Sequence, residues 1–278
     1  MHQSSTRNKS ARKFKQTLPV WRHTAADRAT HRLWCASRAN SPIRSRHEYS
    51  RFILKELGGH ITTLWVLLVQ WDGYVIFPSA WTDEFLAYDD IGACWPFYSD
   101  GMAVGNGGFS LRSKRLPNAL SSDSAFTPDA TTGEDELIGR AFRPALEMNC
   151  GIRFAPEDLA DRFPVEIAAI TDPTFGFHGM FHMHRLPEDD ISFVTEHAHE
   201  RTVSTSEFIA FWARCVEVCH ASVASQIYDR LREVFERAVI GRFLVEIGGL
   251  TAVQAPDRVA RAEALRNERK TSRAALSA

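Results

Sequence analysis

The sequence predicts an α/β fold built around one buried strand. Leu64–Val69 is an unbroken apolar run, rich in Val and Leu, which reads as a central strand of a parallel sheet covered on both faces. A helical pattern precedes it, with Tyr49, Phe52, Ile53 and Leu57 on one face. At 278 residues the chain is long enough to bury a sizeable core. The run stops abruptly at Gln70-Trp71-Asp72-Gly73. Ligands in open α/β sheets bind at the carboxyl ends of strands, so Asp72 is a candidate metal or nucleotide ligand. An Asp-Gly hairpin turn accounts for the same residues equally well.

Taken in order, the chain opens with a basic leader. Between residues 1 and 46, eleven Arg and Lys residues face the single acid Asp27, and apolar residues follow no period. Residues 1–44 are therefore expected to be a disordered tail rather than a transit peptide or a nucleic-acid arm. Ser45-Arg-His-Glu48 is a capping box that starts the first helix, and Gly58-Gly59 ends it. A strand over 61–70 follows, then a helical turn over 83–88 and a loop carrying the pair Asp89-Asp90 and Trp95. Val104-Gly-Asn-Gly-Gly-Phe-Ser-Leu-Arg112 reads as a glycine loop feeding a strand. Its spacing fits neither a P-loop nor a dinucleotide fingerprint. Glu134, Asp135 and Glu136 open a helix, where acids suit the macrodipole. A short strand over 152–155 and a short helix over 156–163 come next. His178, His182 and His184 cluster in a stretch read as extended, which points His182 and His184 the same way. After Pro187 the apolar spacing becomes helical, with two amphipathic helices and a third, highly charged one over 258–273.

Composition excludes several classes. The chain is 44% hydrophobic and 24% charged with a net charge of -1, which offers no overall attraction for nucleic acid or an anionic membrane. No apolar window spans a bilayer, and no secretory signal opens the chain, so a cytoplasmic location is expected. Five scattered cysteines suggest no disulfide framework, and Cys215, Cys219 and His220 read as a helix face rather than a zinc site.

The order of these features resembles domain-of-unknown-function family 5672, a glycosyltransferase-like family. The resemblance runs over about residues 43–185: Gln-Trp-Asp-Gly, Tyr-Asp-Asp-Ile-Gly-Ala-Cys-Trp-Pro, Val-Gly-Asn-Gly-Gly-Phe-Ser-Leu-Arg, Glu-Asp and Phe-Gly-Phe-His-Gly. It implies a GT-A-like, Rossmann-like sandwich over residues 45–187; the helical spacing after Pro187 makes 188–278 a helical extension. The resemblance also implies transfer of a sugar from a nucleotide-sugar donor to a carbohydrate or other hydroxyl acceptor, assisted by Mn²⁺ or Mg²⁺. Asp72 and His178 become the metal ligands, with Gln70 standing where such motifs carry a first Asp. Gln70, Trp71, Gly73, Asn106, Gly107, Gly108 and Phe109 line the donor and sugar pocket, and Trp95 stacks on the acceptor. Asp135, or Glu134 next to it, is the base. Family members carry a βα unit before the first helix. Here that place holds the basic leader with no strand pattern, so an N-terminally truncated, inactive binding module is the alternative. A hydrolase with two facing carboxylates is a third reading.

Overall fold

The computed structural model describes residues 20–22, 43–167, 170, 173–218 and 221–276. Over the described residues the protein is mixed α/β, with small sheets and about 56% helix. Ser45 caps α1 (Arg46–Arg51) by accepting the Glu48 N–H at 3.1 Å, as the capping box predicts. The Glu48 carboxylate instead accepts the Arg44 N–H, at 2.6 Å. The helix runs on through a π-helical turn, Phe52–Glu56, into α2 (Leu57–His60). Gly58 and Gly59 therefore lie within the last turn rather than beyond it.

The strand after this helix is β2 (Trp65–Val69). It lies in a four-stranded sheet of order β1-β2-β5-β4, with β1 (Val20–Arg22), β4 (Asp90–Cys94) and β5 (Val104–Ser113). All three pairings are antiparallel, so the expectation of a parallel sheet is corrected. The reason lies in what covers β2. Val66 and Leu68 face a helical layer containing Phe52, Ile53, Leu57, Leu116 and Leu146. Trp65, Leu67 and Val69 turn to an aromatic cluster of Phe85, Phe109, Phe163 and Phe175. An unbroken apolar run reports two covered faces, whatever the direction of the neighbouring strands. The strand β1 comes from the basic leader, where the sequence showed no strand pattern; the rest of residues 1–42 lies outside the described residues.

A second sheet, of order β3-β7-β6, joins β3 (Gly73–Val75), β7 (Gly176–His178) and β6 (Pro164–Val165). Its β3–β7 pair is antiparallel and its β6–β7 pair parallel. The Gln70–Gly73 turn, closed by the Gly73 N–H on the Gln70 carbonyl at 3.0 Å, passes the chain from the first sheet to the second. It is a turn, but not a hairpin.

Three further expectations change. The glycine loop is the first half of β5, buried along its length. Glycine is needed there because β4 comes very close: a Cβ on Gly92 would lie 2.1 Å from the Asn106 carbonyl oxygen. The pair Asp89-Asp90 leads into β4 rather than a loop. Asp89 is tied by the Ser113 hydroxyl, the Arg115 guanidinium and the Arg153 N–H. His182 and His184 lie on a 3₁₀ helix, Met180–Arg185, rather than an extended segment.

The remaining helices in the family-like region are α3 (Arg115–Ser122), α4 (Glu134–Glu136), α5 (Arg143–Cys150) and α6 (Glu157–Ala160). A π-helical turn, Leu137–Ala141, joins α4 to α5. After Pro187 come α7 (Glu188–His197), α8 (Glu200–Val203), α9 (Ser206–Glu217), α10 (Ala221–Val234), α11 (Arg237–Glu246) and α12 (Gln254–Leu276). Thr205 caps α9 through the Phe208 N–H. Trp212 stacks on Tyr228 and donates its indole N–H to the Ala224 carbonyl at 3.0 Å, which locks α9 to α10. Arg266 and Arg269 of α12 pair with Asp229 of α10. The core of these helices is continuous with Val165, Phe177, Met180 and Met183, so the extension packs directly on the second sheet. Cys215 is buried in it, and burial pushes its thiol up to about 12. Cys35, Cys219 and His220 lie outside the described residues. No helix among the described residues is long and apolar enough to cross a membrane.

Candidate functional site

The junction of the two sheets brings together residues far apart in sequence. Asp72 occupies the turn between β2 and β3, and β3 pairs Gly73 with His178 at the end of β7. The Gly179 N–H donates to the Asp72 carbonyl at 3.0 Å and fixes the turn against that strand end. His178 Nε2 lies 3.4 Å from Asp72 Oδ1, and its Nδ1 lies 3.1 Å from Glu166 Oε1. Asp72 Oδ1 and both ring nitrogens are buried without an aligned hydrogen bond. Burial alone disfavours the charged imidazolium. The carboxylates of Asp72 and Glu166 outweigh it and raise His178 from its ordinary 6.5 to about 10.

The glycine strand forms the floor. Gln70 donates its N–H to the Gly108 carbonyl at 2.7 Å, which sets the turn beside β5. Gly108 lies beneath His178, where an added Cβ would meet Nε2 at 2.0 Å. Asn106 accepts the Gly108 N–H at 3.0 Å and donates its amide to Glu166 Oε2 at 2.8 Å.

An acidic group borders the same strand. Asp135 Oδ2 accepts the Gly107 N–H at 3.2 Å and Oδ1 accepts the Glu136 N–H at 2.9 Å. Glu134 is buried beside them, and a Cβ on Gly107 would come within 2.7 Å of its Oε1. Burial, then the Asp135 charge, push Glu134 up to about 7, with Arg112 pulling the other way. Arg112 is 1% exposed and forms an ion pair of 3.3 Å with fully buried Asp90, its partner in the β4–β5 register. None of its three guanidinium nitrogens has an aligned hydrogen bond. Burial first, and the Glu134 charge next, also raise the Tyr49 hydroxyl.

The fold thus gathers Asp72, His178, Asn106, Gly107, Gly108, Asp135 and Glu134 along one stretch of β5. Gly73 fits tightly between Val69 and Phe109. Three of the expected pocket residues have other surroundings. Phe109 is fully buried against Phe163 and Phe175. Trp95 is 7% exposed and packs on Gly105 and Gly139, with Tyr98 edge-on to its ring. Trp71 is 48% exposed on the turn. His182 and His184 pack on each other, and His182 also on Phe177. Burial lowers His184 to about 4.

Residues 35–178 match the family model described as "Protein of unknown function (DUF5672)". The chain belongs to this family. The match ends on His178, so it takes in the turn, the glycine strand, the acidic helix start and β7. No curated protein and no solved structure matches the chain. Within this DUF5672 region, sequence reading missed Glu166 and Arg112. Glu166 sits in the unremarkable stretch Phe163-Pro-Val-Glu166. It reaches His178 only because β6 pairs parallel with β7, with Val165 opposite Phe177. Arg112 closes the glycine motif, and a charged residue inside an otherwise buried strand was the signal that could have found it.

A divalent cation held between Asp72 and His178 would displace the imidazole proton that the two flanking carboxylates favour. An oxygen and an imidazole nitrogen 3.4 Å apart can share one ion whose ligand bonds are about 2.0–2.6 Å. Among the described residues no three His, Cys, Asp or Glu side chains form a ready-made cage. Glu166 lies on the opposite side of the ring from Asp72, so the protein would supply two ligands. Mg²⁺-type sites commonly use one or two carboxylates, with phosphate oxygens and water completing the shell.

Proposed function

We propose that this DUF5672 chain is a GT-A-like glycosyltransferase that moves a sugar from a nucleotide-sugar donor to an acceptor hydroxyl. The observation that carries this reading is the 3.4 Å approach of His178 Nε2 to Asp72 Oδ1, two buried atoms without a hydrogen bond, beside a glycine strand and an acidic helix start. Asp72 and His178 would hold Mn²⁺ or Mg²⁺, which supplies charge neutralisation for a departing diphosphate. Gly107 and Gly108 let Glu134 and His178 lie against the β5 backbone. Asp135 is half-buried and held by two backbone N–H groups, and it accepts the acceptor hydroxyl proton on a carboxylate oxygen. Glu134 beneath it is neutral below about pH 7 and then places no second charge beside the base.

The test is thermal stabilisation. Saturating Mn²⁺ with the correct UDP- or GDP-sugar is expected to stabilise the protein by about 2.7 kcal/mol at one hundred times Kd. Asp72→Ala is expected to abolish the effect. A protein indifferent to every nucleotide-sugar with metal would overturn the reading.

A second reading, a donor-binding module without transfer, is favoured by one feature. Gln70 replaces the first acid of the expected motif, so that position offers a neutral amide rather than a second carboxylate. This reading predicts stabilisation by nucleotide-sugar without turnover of the donor by acceptor or water.

A further inference from the structure

The metal reading assigns two side chains, Asp72 and His178, and leaves open what holds the imidazole in place. We propose that Glu166 is the positioning residue of this site, orienting His178 so that Nε2 is presented toward Asp72. The inference rests on the metal reading above and adds a residue to it.

Glu166 follows β6 by one position, and the parallel β6–β7 register sets it beside His178. Its two oxygens have different partners. Oε1 lies 3.1 Å from His178 Nδ1, and Oε2 accepts the Asn106 amide at 2.8 Å. Asn106 in turn accepts the Gly108 N–H at 3.0 Å, and Gly108 is the residue beneath His178. The chain His178–Glu166–Asn106–Gly108 therefore closes on the floor of the same site. A carboxylate beside Nδ1 holds the ring so that Nε2 faces Asp72, and a cation bound there would displace the Nε2 proton. Ligating histidines are commonly held this way, and loss of the partner typically costs 10–100-fold in metal affinity. Glu166 itself faces away from Asp72 across the ring, so it acts through His178 rather than as a third ligand.

The experiment measures Mn²⁺ affinity by loss of the free-ion EPR signal, with Mn²⁺ alone and with UDP or GDP present. It compares the full chain with Asp72→Ala, Glu166→Ala and the near-isosteric Glu166→Gln, which keeps the proposal testable if alanine impairs folding. The expected result is wild-type binding, none in Asp72→Ala, and a 10–100-fold loss in the Glu166 variants. A parallel ¹⁵N-histidine spectrum distinguishes orientation from general damage. In the wild type, Mg²⁺ shifts the Nε2 resonance of His178 while Nδ1 stays protonated; in Glu166→Ala that preference between the nitrogens is lost. Wild-type binding retained within twofold in both Glu166 variants would overturn the role of Glu166 and leave the metal reading standing. Absence of binding in the wild type under every condition would overturn both.

Discussion

Replacing Gly108 with alanine is expected to destroy the Asp72–His178 geometry. The new Cβ would lie 2.0 Å from Nε2, 2.1 Å from Cε1 and 2.3 Å from Cδ2 of the imidazole. Such a clash is cheap when the obstructing atom ends a flexible chain. This ring is held on one side by Asp72 and on the other by Glu166, and Gly176–His178 is paired on both edges. The imidazole must leave its place or the β5 backbone must move. Overpacking of this kind costs about 1–3 kcal/mol. Urea unfolding should report that loss, and Mn²⁺-dependent stabilisation by nucleotide-sugar should vanish with it. Gly59→Ala is the matched control, since nothing lies within 4 Å of a Cβ there and the residue sits in helix α2. It should be neutral or stabilising by up to ~1 kcal/mol. A Gly108→Ala protein that unfolds and binds metal like the wild type would show that His178 does not lie over this glycine.

Glu134→Gln is expected to make the protein more stable at alkaline pH than at acidic pH relative to the wild type. The folded chain raises Glu134 from 4.5 to about 7, so between those values the unfolded chain has given up a proton that the folded chain keeps. The stabilising contribution is fully present below 4.5 and is lost as pH rises through about 7. Its full size is on the order of 3 kcal/mol, because one pKa unit is worth about 1.4 kcal/mol. Asp90, pushed up to about 6 by burial, acts with the same sign over a lower window. The variant-minus-wild-type difference isolates Glu134. Measured by urea unfolding between roughly pH 5 and pH 8, that difference should grow in the variant's favour as pH rises. A difference independent of pH would mean that Glu134 is not the buried, proton-holding neighbour of Asp135.

Much of the site was legible because its parts are local motifs. Gln70-Trp71-Asp72-Gly73 stands out as the end of an apolar run, and the capping box at Ser45 and the acids at Glu134–Glu136 are short-range signals that survive folding. Pairing partners were not legible. The apolar run of β2 marks a strand with two covered faces, but nothing in it specifies an antiparallel neighbour, and the antiparallel sheet followed from long-range contacts. The glycines around Asn106 looked like a loop. They serve a strand on which β4 and His178 press closely, a reason that exists only once the chain has folded. The histidines were legible as a group and not as individuals. His178 ends a strand facing two carboxylates, while His182 and His184 lie on a 3₁₀ turn. Glu166 had no signal of its own, because its role depends on the register of two very short strands.

The proposed function requires Asp72 and His178 to hold one divalent cation for a nucleotide-sugar. Crystals grown with Mn²⁺ and UDP or GDP, examined by anomalous diffraction at the manganese edge, test it most directly. A single strong peak is expected about 2.0–2.6 Å from both Asp72 Oδ1 and His178 Nε2, with diphosphate oxygens completing its shell. A peak bound elsewhere on the chain, or bound nucleotide with no metal between these two side chains, would contradict it.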